Sequence, residues 1–324
     1  MSCNLWQWPC VGRYGDRMVS AALLFPGQGS QYVGMGKDLY DHFPVAKNLF
    51  DRAASVVTDF DVRAICFDGP AEKLTQTRYS QPAIFAASMA AYEVFKTYPK
   101  SKSYTPLFTA GLSLGEATAL CAADAISFDE GIRFVCTRGQ YMDEAALDRP
   151  GLMAAVLGLD LAIVEKVCRE TGAEVGNLNA PGQIVISGYK EKVEAAIEKL
   201  REAGARKVLP LDVSGGFHSS CMDSACKRIE KALGNVTIRP PKIPVVSNLT
   251  ANIEEDPAKI KHNLVLQMNH RTLWEDSMRI MIAGGVKTFI ELGPGKVLKG
   301  LLKKIDSTVE TISLGTVEDF HVIQ

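Results

Sequence analysis

The chain has 324 residues, of which 47% are hydrophobic and 23% are charged, and its formal net charge is −1. This composition is typical of a soluble globular enzyme, and the length allows one large domain or two. The nearly balanced charge argues against nucleic acid or a membrane surface as the main partner. No apolar stretch approaches the roughly 18 residues that a membrane span needs.

The eight cysteines form no C-x-x-C pair and show no metal-ligand spacing. Several lie in apolar segments, so we expect reduced, buried thiols, no metal site and a cytoplasmic location. Residues 1–18 show no helical or strand period, and we expect a disordered extension there. That segment lacks the apolar region of a secretory signal, although mitochondrial or plastid targeting stays open.

Apolar runs of strand length alternate with longer segments of helical period, which predicts an α/β fold with a mostly parallel sheet. The strands predicted for the main domain are Ala21–Phe25, Pro106–Ala110, Ile243–Ser247 and Thr288–Leu292. The helices predicted there include Val45–Val57, Ala83–Thr97, Gly115–Ala122 and Phe128–Ala146. We expect this catalytic domain to be discontinuous and to comprise residues 19–148 and 216–317.

Residues 149–215 are predicted to form a separate unit inserted into that domain. The strands predicted in it are Leu152–Leu157, Ala173–Asn179, Gln183–Ser187 and Arg206–Val213. The helices predicted between them are Leu161–Thr171 and Lys190–Ala203. The resulting order βαββαβ is typical of a ferredoxin-like subdomain.

The segment Gly111-Leu112-Ser113-Leu114-Gly115 matches G-x-S-x-G between a predicted strand and a predicted helix. In a nucleophile elbow, the turn of an α/β-hydrolase-like domain, the serine Oγ is exposed at the helix N-terminus. Glycines suit the turn because a Cβ there would collide where strand and helix approach. Free N–H groups at the helix start can bind an oxyanion. Ser113 is therefore a candidate nucleophile, and a solvent-exposed Gly-Ser turn is the alternative.

Three further segments provide candidate partners for Ser113. The loop of residues 25–31 after the first strand fits no nucleotide-binding motif. Its glycines either form a structural turn or bring a second oxyanion donor to the Leu114 N–H. His218 is the best candidate base, because the other four histidines lie in polar or terminal contexts; a structural histidine is the alternative. The residues alone favour a solvated or salt-bridged Arg138, whereas in a pocket its guanidinium would pair with a carboxylate.

Eight segments of the chain resemble the malonyl-CoA:acyl carrier protein transacylase family, over about residues 20–315. They are FPGQGSQ (25–31), SQPA (80–83), GLSLGE (111–116), RGQYM (138–142), NAPGQIVISG (179–188), VSGGFHS (213–219), SNLTA (247–251) and ELGPGKVLKGL (291–301). One such segment would be weak evidence for the family, but eight segments in the family's order at compatible spacing are specific evidence. The resemblance implies transfer of malonyl from malonyl-CoA to the phosphopantetheine thiol of acyl carrier protein, for fatty acid synthesis. It implies a ping-pong mechanism through a malonyl-serine, with no cofactor beyond the two substrates.

The resemblance also implies the roles of individual residues. Ser113 would be the nucleophile, His218 its general acid and base, and Arg138 the group that binds the malonyl carboxylate. The oxyanion donors would be the backbone N–H groups of Gln28 and Leu114.

Four more residues are assigned by the resemblance. Gln81 and Met142 would line the acyl pocket, and Phe217 would narrow its floor in favour of malonyl over larger branched units. The backbone carbonyl of Gln267 would orient the catalytic histidine. The chain departs from most members of the family at Leu112, where they carry a histidine that is not the base.

Acyl carrier protein is the partner that the resemblance implies. Because carrier proteins are acidic, the basic helix with Lys299, Lys303 and Lys304 is a candidate docking surface; a merely solvated face is the alternative. We expect a monomer that binds neither nucleic acid nor membrane.

Other functions remain open from the sequence. An acyltransferase serving polyketide synthesis would look almost the same. A serine hydrolase or thioesterase is a less favoured alternative, since α/β-hydrolases place the histidine near the C-terminus. An inactive scaffold is supported only by Leu112.

Overall fold

The structure, a computed structural model, describes residues 18–323. The extension expected over residues 1–18 therefore lies, apart from Met18, outside the described residues. None of the helices in the described part of the chain is long and apolar enough to cross a membrane.

The strands, in chain order, are β1 (Val19–Phe25), β2 (Tyr104–Gly111), β3 (Gly151–Leu157), β4 (Glu174–Ala180), β5 (Gln183–Tyr189), β6 (Lys207–Pro210), β7 (Val245–Val246), β8 (Ile253–Glu254), β9 (Thr288–Leu292) and β10 (Glu310–Leu314). The α-helices are α1 (Lys37–His42), α2 (Pro44–Val56), α3 (Val62–Phe67), α4 (Ala71–Leu74), α5 (Thr77–Thr97), α6 (Leu114–Ala122), α7 (Phe128–Asp148), α8 (Leu161–Thr171), α9 (Lys190–Glu202), α10 (Asp223–Leu233), α11 (Pro257–Leu266), α12 (Trp274–Ala283) and α13 (Val297–Ile305). Short 3-10 helices lie at Pro99–Ser103, Ser220–Met222 and Asp319–Ile323.

The main sheet has the strand order β10-β9-β1-β2-β7-β8. β1 pairs in parallel with β2 and β9, β9 with β10, and β2 with β7, whereas β7 and β8 are antiparallel. Residues 21–25 of β1 are fully buried, which is typical of a parallel strand covered by helices on both faces. The prediction of an α/β fold with a mostly parallel sheet is confirmed.

A second sheet is antiparallel and has the order β4-β5-β3-β6. Its strands alternate with α8 and α9 in the order strand, helix, strand, strand, helix, strand. Apolar residues of both helices, such as Val164 and Ile197, share one buried cluster with Ile184 and Ile186 of the sheet. The strand β4 also contacts α12 and α13, so this unit packs against the main sheet's helices.

Proline explains the main differences between predicted and observed elements. The helix predicted to begin at Ala83 begins at Thr77 and contains Pro82, which removes one backbone donor but is buried. Conversely, the strand predicted over Ile243–Ser247 shrinks to β7, because Pro244 has no N–H and only its carbonyl pairs with Thr109.

The two central strands place their carboxyl ends side by side. Phe25 at the end of β1 pairs with Gly111 at the end of β2. A Cβ on Gly111 would lie 2.0 Å from the carbonyl of Gly115, and one on Gly115 would lie 2.2 Å from the carbonyl oxygen of Phe25. Only glycines allow this close approach. It brings the loop after β1 and the turn after β2 together at the carboxyl ends of the two strands, which is the usual location for a ligand in such a sheet.

Candidate active site

Ser113 lies in the strained turn between β2 and α6, with φ 52° and ψ −104°. A non-glycine residue with positive φ is held there only by its surroundings. Here the side chain of Asn248 spans the turn: its Oδ1 accepts from the Ser113 N–H at 2.7 Å, and its Nδ2 donates to the Gly111 carbonyl at 2.7 Å. The turn leaves Ser113 Oγ at the start of α6.

His218 is also held with positive φ, at 58°. Its N–H donates to the Met268 carbonyl at 2.9 Å, and the preceding carbonyl of Phe217 accepts from Ser187 Oγ at 2.5 Å. Strand β5 and the segment after α11 thus fix the loop that carries the histidine. The imidazole is 4% exposed.

The two ring nitrogens of His218 have different partners. Nδ1 lies 2.7 Å from the backbone carbonyl of Gln267, and Nε2 lies 2.8 Å from Ser113 Oγ. Because a carbonyl only accepts, Nδ1 carries the hydrogen and Nε2 is free to accept from the serine hydroxyl. Burial, aided by the nearby charge of Arg138, lowers the pKa of His218 to about 4. The histidine is therefore neutral at physiological pH, as a base must be.

Arg138 projects from α7 toward the same hydroxyl and is 2% exposed. Its Nη2 donates to Ser113 Oγ at 3.2 Å and to Gln267 Oε1 at 2.9 Å, whereas Nη1 is buried without a partner among residues 18–323. The interpretation from the residues alone, a solvated or salt-bridged arginine, is wrong: no carboxylate in the described chain forms an ion pair with it. Burial lowers its pKa to about 10, so it stays charged at neutral pH. A buried, unpaired cation favours an anionic ligand.

The N–H groups of Gln28 and Leu114 border the same space. Neither amide donates to an acceptor within the described residues, although the Gln28 side chain donates to Thr77 Oγ1 at 3.2 Å. Both residues line a cavity of about 120 Å³ together with Ser113 and His218. Two free donors beside a nucleophile are what an oxyanion hole requires.

The cavity is closed by side chains from α5, α7 and the second sheet. Gln81 lies on α5 and Met142 on α7, and the Gln81 Nε2 is 3.3 Å from the Met142 Sδ. Phe217 is buried beside His218. All three line the cavity together with Leu112. Leu112 is partly buried and packs against the apolar cluster that the main sheet shares with α12 and α13.

Sequence analysis missed two groups of residues at this site. Met153, Asn177, Asn179 and Val185 of the second sheet line the cavity, and alternation along β3, β4 and β5 could have identified them had the packing of the two units been known. Asn248 and Glu116 are buried polar residues beside the turn, and both lie in quoted segments without an assigned role.

Comparison with known proteins agrees with this geometry. The model of the acyl transferase domain family matches residues 22–317. The malonyl CoA-acyl carrier protein transacylase of Bacillus subtilis (strain 168) is 44% identical over 310 residues, which are 94% of this chain and 96% of the relative.

Two solved structures extend the comparison to the fold. An acyl carrier protein S-malonyltransferase from Vibrio cholerae has a TM-score of 0.89 at 39% identity, covering 94% of this chain and 99% of that one. A malonyl-transacylase in complex with its type II PKS acyl-carrier protein has a TM-score of 0.89 at 36% identity, covering 94% and 98%. These matches confirm the resemblance inferred from the eight segments, and the chain belongs to the acyl transferase domain family of the malonyl-transacylases.

Proposed function

We propose that the protein transfers malonyl from malonyl-CoA to the phosphopantetheine thiol of acyl carrier protein, through a malonyl ester of Ser113. One observation carries the proposal: a single oxygen, Ser113 Oγ, lies within hydrogen-bond distance of both a neutral histidine and a buried, unpaired arginine. The first activates a nucleophile, and the second fits an acyl group that ends in a carboxylate.

In the first half-reaction His218 Nε2 takes the proton of the Ser113 hydroxyl as Oγ attacks the thioester carbon of malonyl-CoA. The negative charge of the tetrahedral intermediate falls on the former carbonyl oxygen, beside the N–H groups of Gln28 and Leu114. The Nδ1–H of His218 donates to the Gln267 carbonyl throughout, which keeps the ring oriented and stabilises the imidazolium. The carbon–sulfur bond then breaks, and CoA leaves with the proton from Nε2.

In the second half-reaction the thiol of the carrier protein repeats these steps in reverse. Its proton passes to His218 Nε2, its sulfur attacks the ester carbon, and Ser113 Oγ leaves with that proton. Every proton moves between the substrates, the serine and the histidine, so the proposed reaction uses no further cofactor.

Arg138 supplies the acyl selectivity in this proposal. Its unpartnered Nη1 and its Nη2 can both donate to the carboxylate of malonyl. Acetyl would leave the buried cation unpaired, and that desolvation penalty disfavours it. Gln81, Met142 and Phe217 restrict the cavity to a small acyl unit.

We propose that the carrier protein docks on the basic face of α13. Lys299, Lys303 and Lys304 are exposed there, and none forms an ion pair within residues 18–323. Lys304 donates to Gln183 Oε1 at 2.6 Å, and α13 contacts β4, whose Asn179 lines the cavity. An acidic carrier held at this face would therefore lie beside the cavity entrance.

We also propose an assignment of the two domains, a cellular location and an oligomeric state. The parallel main sheet with its serine turn supports an α/β-hydrolase-like catalytic domain over residues 19–148 and 216–317. The order β4-β5-β3-β6 supports a ferredoxin-like subdomain over 149–215. Six free cysteines within the described residues, most of them buried, support a reducing, cytoplasmic setting. A monomer is proposed.

The proposed reaction is tested by incubating the protein with malonyl-CoA and measuring the intact mass. The wild type should gain one malonyl group and lose it when the carrier protein is added, and Ser113→Ala should gain none. Steady release of free malonate without a carrier would instead assign a hydrolase, and no adduct in the wild type would refute the proposal.

A second pathway, polyketide synthesis, is favoured by the similarity to the malonyl-transacylase bound to a type II PKS acyl-carrier protein. The chemistry at Ser113 is the same for both pathways. Comparing transfer to fatty-acid and polyketide carrier proteins distinguishes them.

A further inference from the structure

Glu116 is a buried carboxylate beside the nucleophile that the proposed reaction does not use. It lies in the first turn of α6 and is 3% exposed. Its Oε2 accepts from the backbone N–H of Asn248 at 3.1 Å and from Nε2 of Gln267 at 2.5 Å. Burial raises the pKa of Glu116 to about 7, although these two donors and the charge of Arg138 favour the ionised form.

The side-chain amide of Gln267 connects this carboxylate to Arg138. Its Nε2 donates to Glu116 and to the Ser113 carbonyl at 3.1 Å, whereas its Oε1 accepts from Arg138 Nη2 at 2.9 Å. Turning the amide over would place its N–H groups against a guanidinium and its oxygen against two acceptors. The partners therefore permit one orientation only.

We propose that Glu116 is a positioning residue for acyl selection, which acts on Arg138 through the side-chain amide of Gln267. The inference rests on the proposed function, in which Arg138 binds the malonyl carboxylate. The hydrogen bond from Gln267 to Glu116 fixes the side-chain amide, and the amide oxygen fixes the direction of the Arg138 guanidinium without a direct contact between Glu116 and Arg138. Nη1 of Arg138 thus stays without a partner among the described residues, which leaves a donor for the malonyl carboxylate in the proposed function.

A direct ion pair would not serve this purpose. A protein carboxylate bonded to Arg138 would compete with the carboxylate of malonyl for the same N–H groups. The amide of Gln267 keeps the two side chains apart while its hydrogen bonds fix the direction of the guanidinium. The backbone carbonyl of the same residue accepts from His218, so a displaced Gln267 would also disturb the base.

The test compares rates of malonyl-serine and acetyl-serine formation, measured by quenched flow and intact mass. Glu116→Leu removes the acceptor and should lower kcat/KM for malonyl-CoA by about 100-fold but for acetyl-CoA by only about tenfold. Glu116→Gln keeps an oxygen for both donors and should hold the malonyl-to-acetyl ratio within about threefold of the wild type. If the role of Glu116 were purely structural, Glu116→Leu would lower both acylation rates by the same factor. The malonyl-to-acetyl ratio would then be unchanged, and this result would overturn the inference.

A second variant keeps the inference falsifiable if Glu116→Leu does not fold. Gln267→Met removes the amide but retains the backbone carbonyl for His218, and should lower the malonyl-to-acetyl ratio by about tenfold on its own. Because both residues act through one network, the double variant should show the ratio of either single variant. The network would be refuted if the double variant lowered the malonyl-to-acetyl ratio by the product of the two single effects. It would also be refuted if Gln267→Met kept the ratio of the wild type.

Glu291→Gln is the matched control. Glu291 is another buried carboxylate that accepts two backbone N–H groups at the start of a helix, and it is not among the residues that line the cavity. Its variant should keep the wild-type acylation rates and ratio. A wild type that forms no adduct at Ser113 refutes the proposed function, whereas a normal adduct with an unchanged ratio in Glu116→Leu refutes only the role of Glu116.

Discussion

Replacing Arg138 with alanine tests how the site selects its acyl group. The guanidinium is buried within 3.2 Å of Ser113 Oγ, and one of its nitrogens has no partner among the described residues. A hydrogen bond to a charged group contributes about 1.5–3 kcal/mol, so two bonds to the malonyl carboxylate contribute at least about 3 kcal/mol. Arg138→Ala should therefore lower malonyl-serine formation by at least about 100-fold.

Acetyl transfer should not fall in the Arg138→Ala variant. In the wild type the acetyl group leaves the Arg138 cation buried and unpaired, and the alanine variant has no such charge. Acetyl-serine formation should hold or rise, so the malonyl-to-acetyl ratio should fall by at least about 100-fold. The measurement is kcat/KM for each acyl-CoA from the rate of adduct formation, at constant ionic strength.

Two variants control for loss of folding and loss of charge. Arg133→Ala removes an exposed arginine from the same helix and should leave both rates unchanged. Arg138→Lys keeps a charge but loses the paired N–H groups, so its ratio should lie between wild type and alanine. An unchanged ratio in Arg138→Ala would refute the reasoning, because the arginine would then have no part in recognising the acyl group.

Three further predictions concern the base, the docking surface and Glu291, the buried carboxylate of β9 that accepts from the start of α13. Because the pKa of His218 is lowered to about 4, acylation should be insensitive to pH around neutrality and should fall only as the medium approaches about pH 5 and below, where the imidazole gains a proton; a decline centred near the ordinary histidine pKa would contradict this. Changing Lys299, Lys303 and Lys304 to glutamate should raise the KM for carrier protein and weaken its salt dependence while acylation by malonyl-CoA stays unchanged; an unaltered KM would leave these lysines as solvated surface. Glu291→Leu leaves two amides at the start of α13 unpaired and should lower the free energy of unfolding by about 2 kcal/mol in urea denaturation, a loss that Glu291→Gln should largely avoid.

Local patterns were sufficient for much of the fold. The strand β9 and the helix α8 have the predicted bounds, because each is a run of clear period with distinct ends. Gly172, with φ 77°, ends α8 where a left-handed residue is needed. Elements that contain proline were predicted less well: tertiary burial extends α5 across Pro82, and Pro244 shortens β7.

Some site residues are indicated by the local sequence, whereas the surroundings of others depend on segments that are distant in the chain. Ser113 could be identified as a candidate nucleophile from the turn sequence, since strand, glycines and helix are contiguous. The environment of Arg138 does not, because its partner Gln267 is 129 positions away and belongs to a different helix end. A residue pattern records that an arginine lies on a helix face. It does not record that the segment after α11 covers that face, so the residues alone favoured a solvated side chain.

Burial is what joins the proposed chemistry to the fold. Transfer requires the acyl-serine to persist until a thiol arrives, so water must be kept from the ester carbon. The cavity of about 120 Å³ is lined largely by apolar side chains, among them Met142, Met153, Val185 and Phe217, and the imidazole of His218 is nearly inaccessible. The same burial lowers the pKa of both His218 and Arg138. Because Arg138 also lacks a partner for Nη1 among the described residues, the site favours an anionic ligand. In the proposed mechanism, exclusion of water therefore keeps His218 neutral, strengthens the selection by Arg138 and protects the acyl-serine, and the residues of the second sheet that line the cavity contribute to that exclusion.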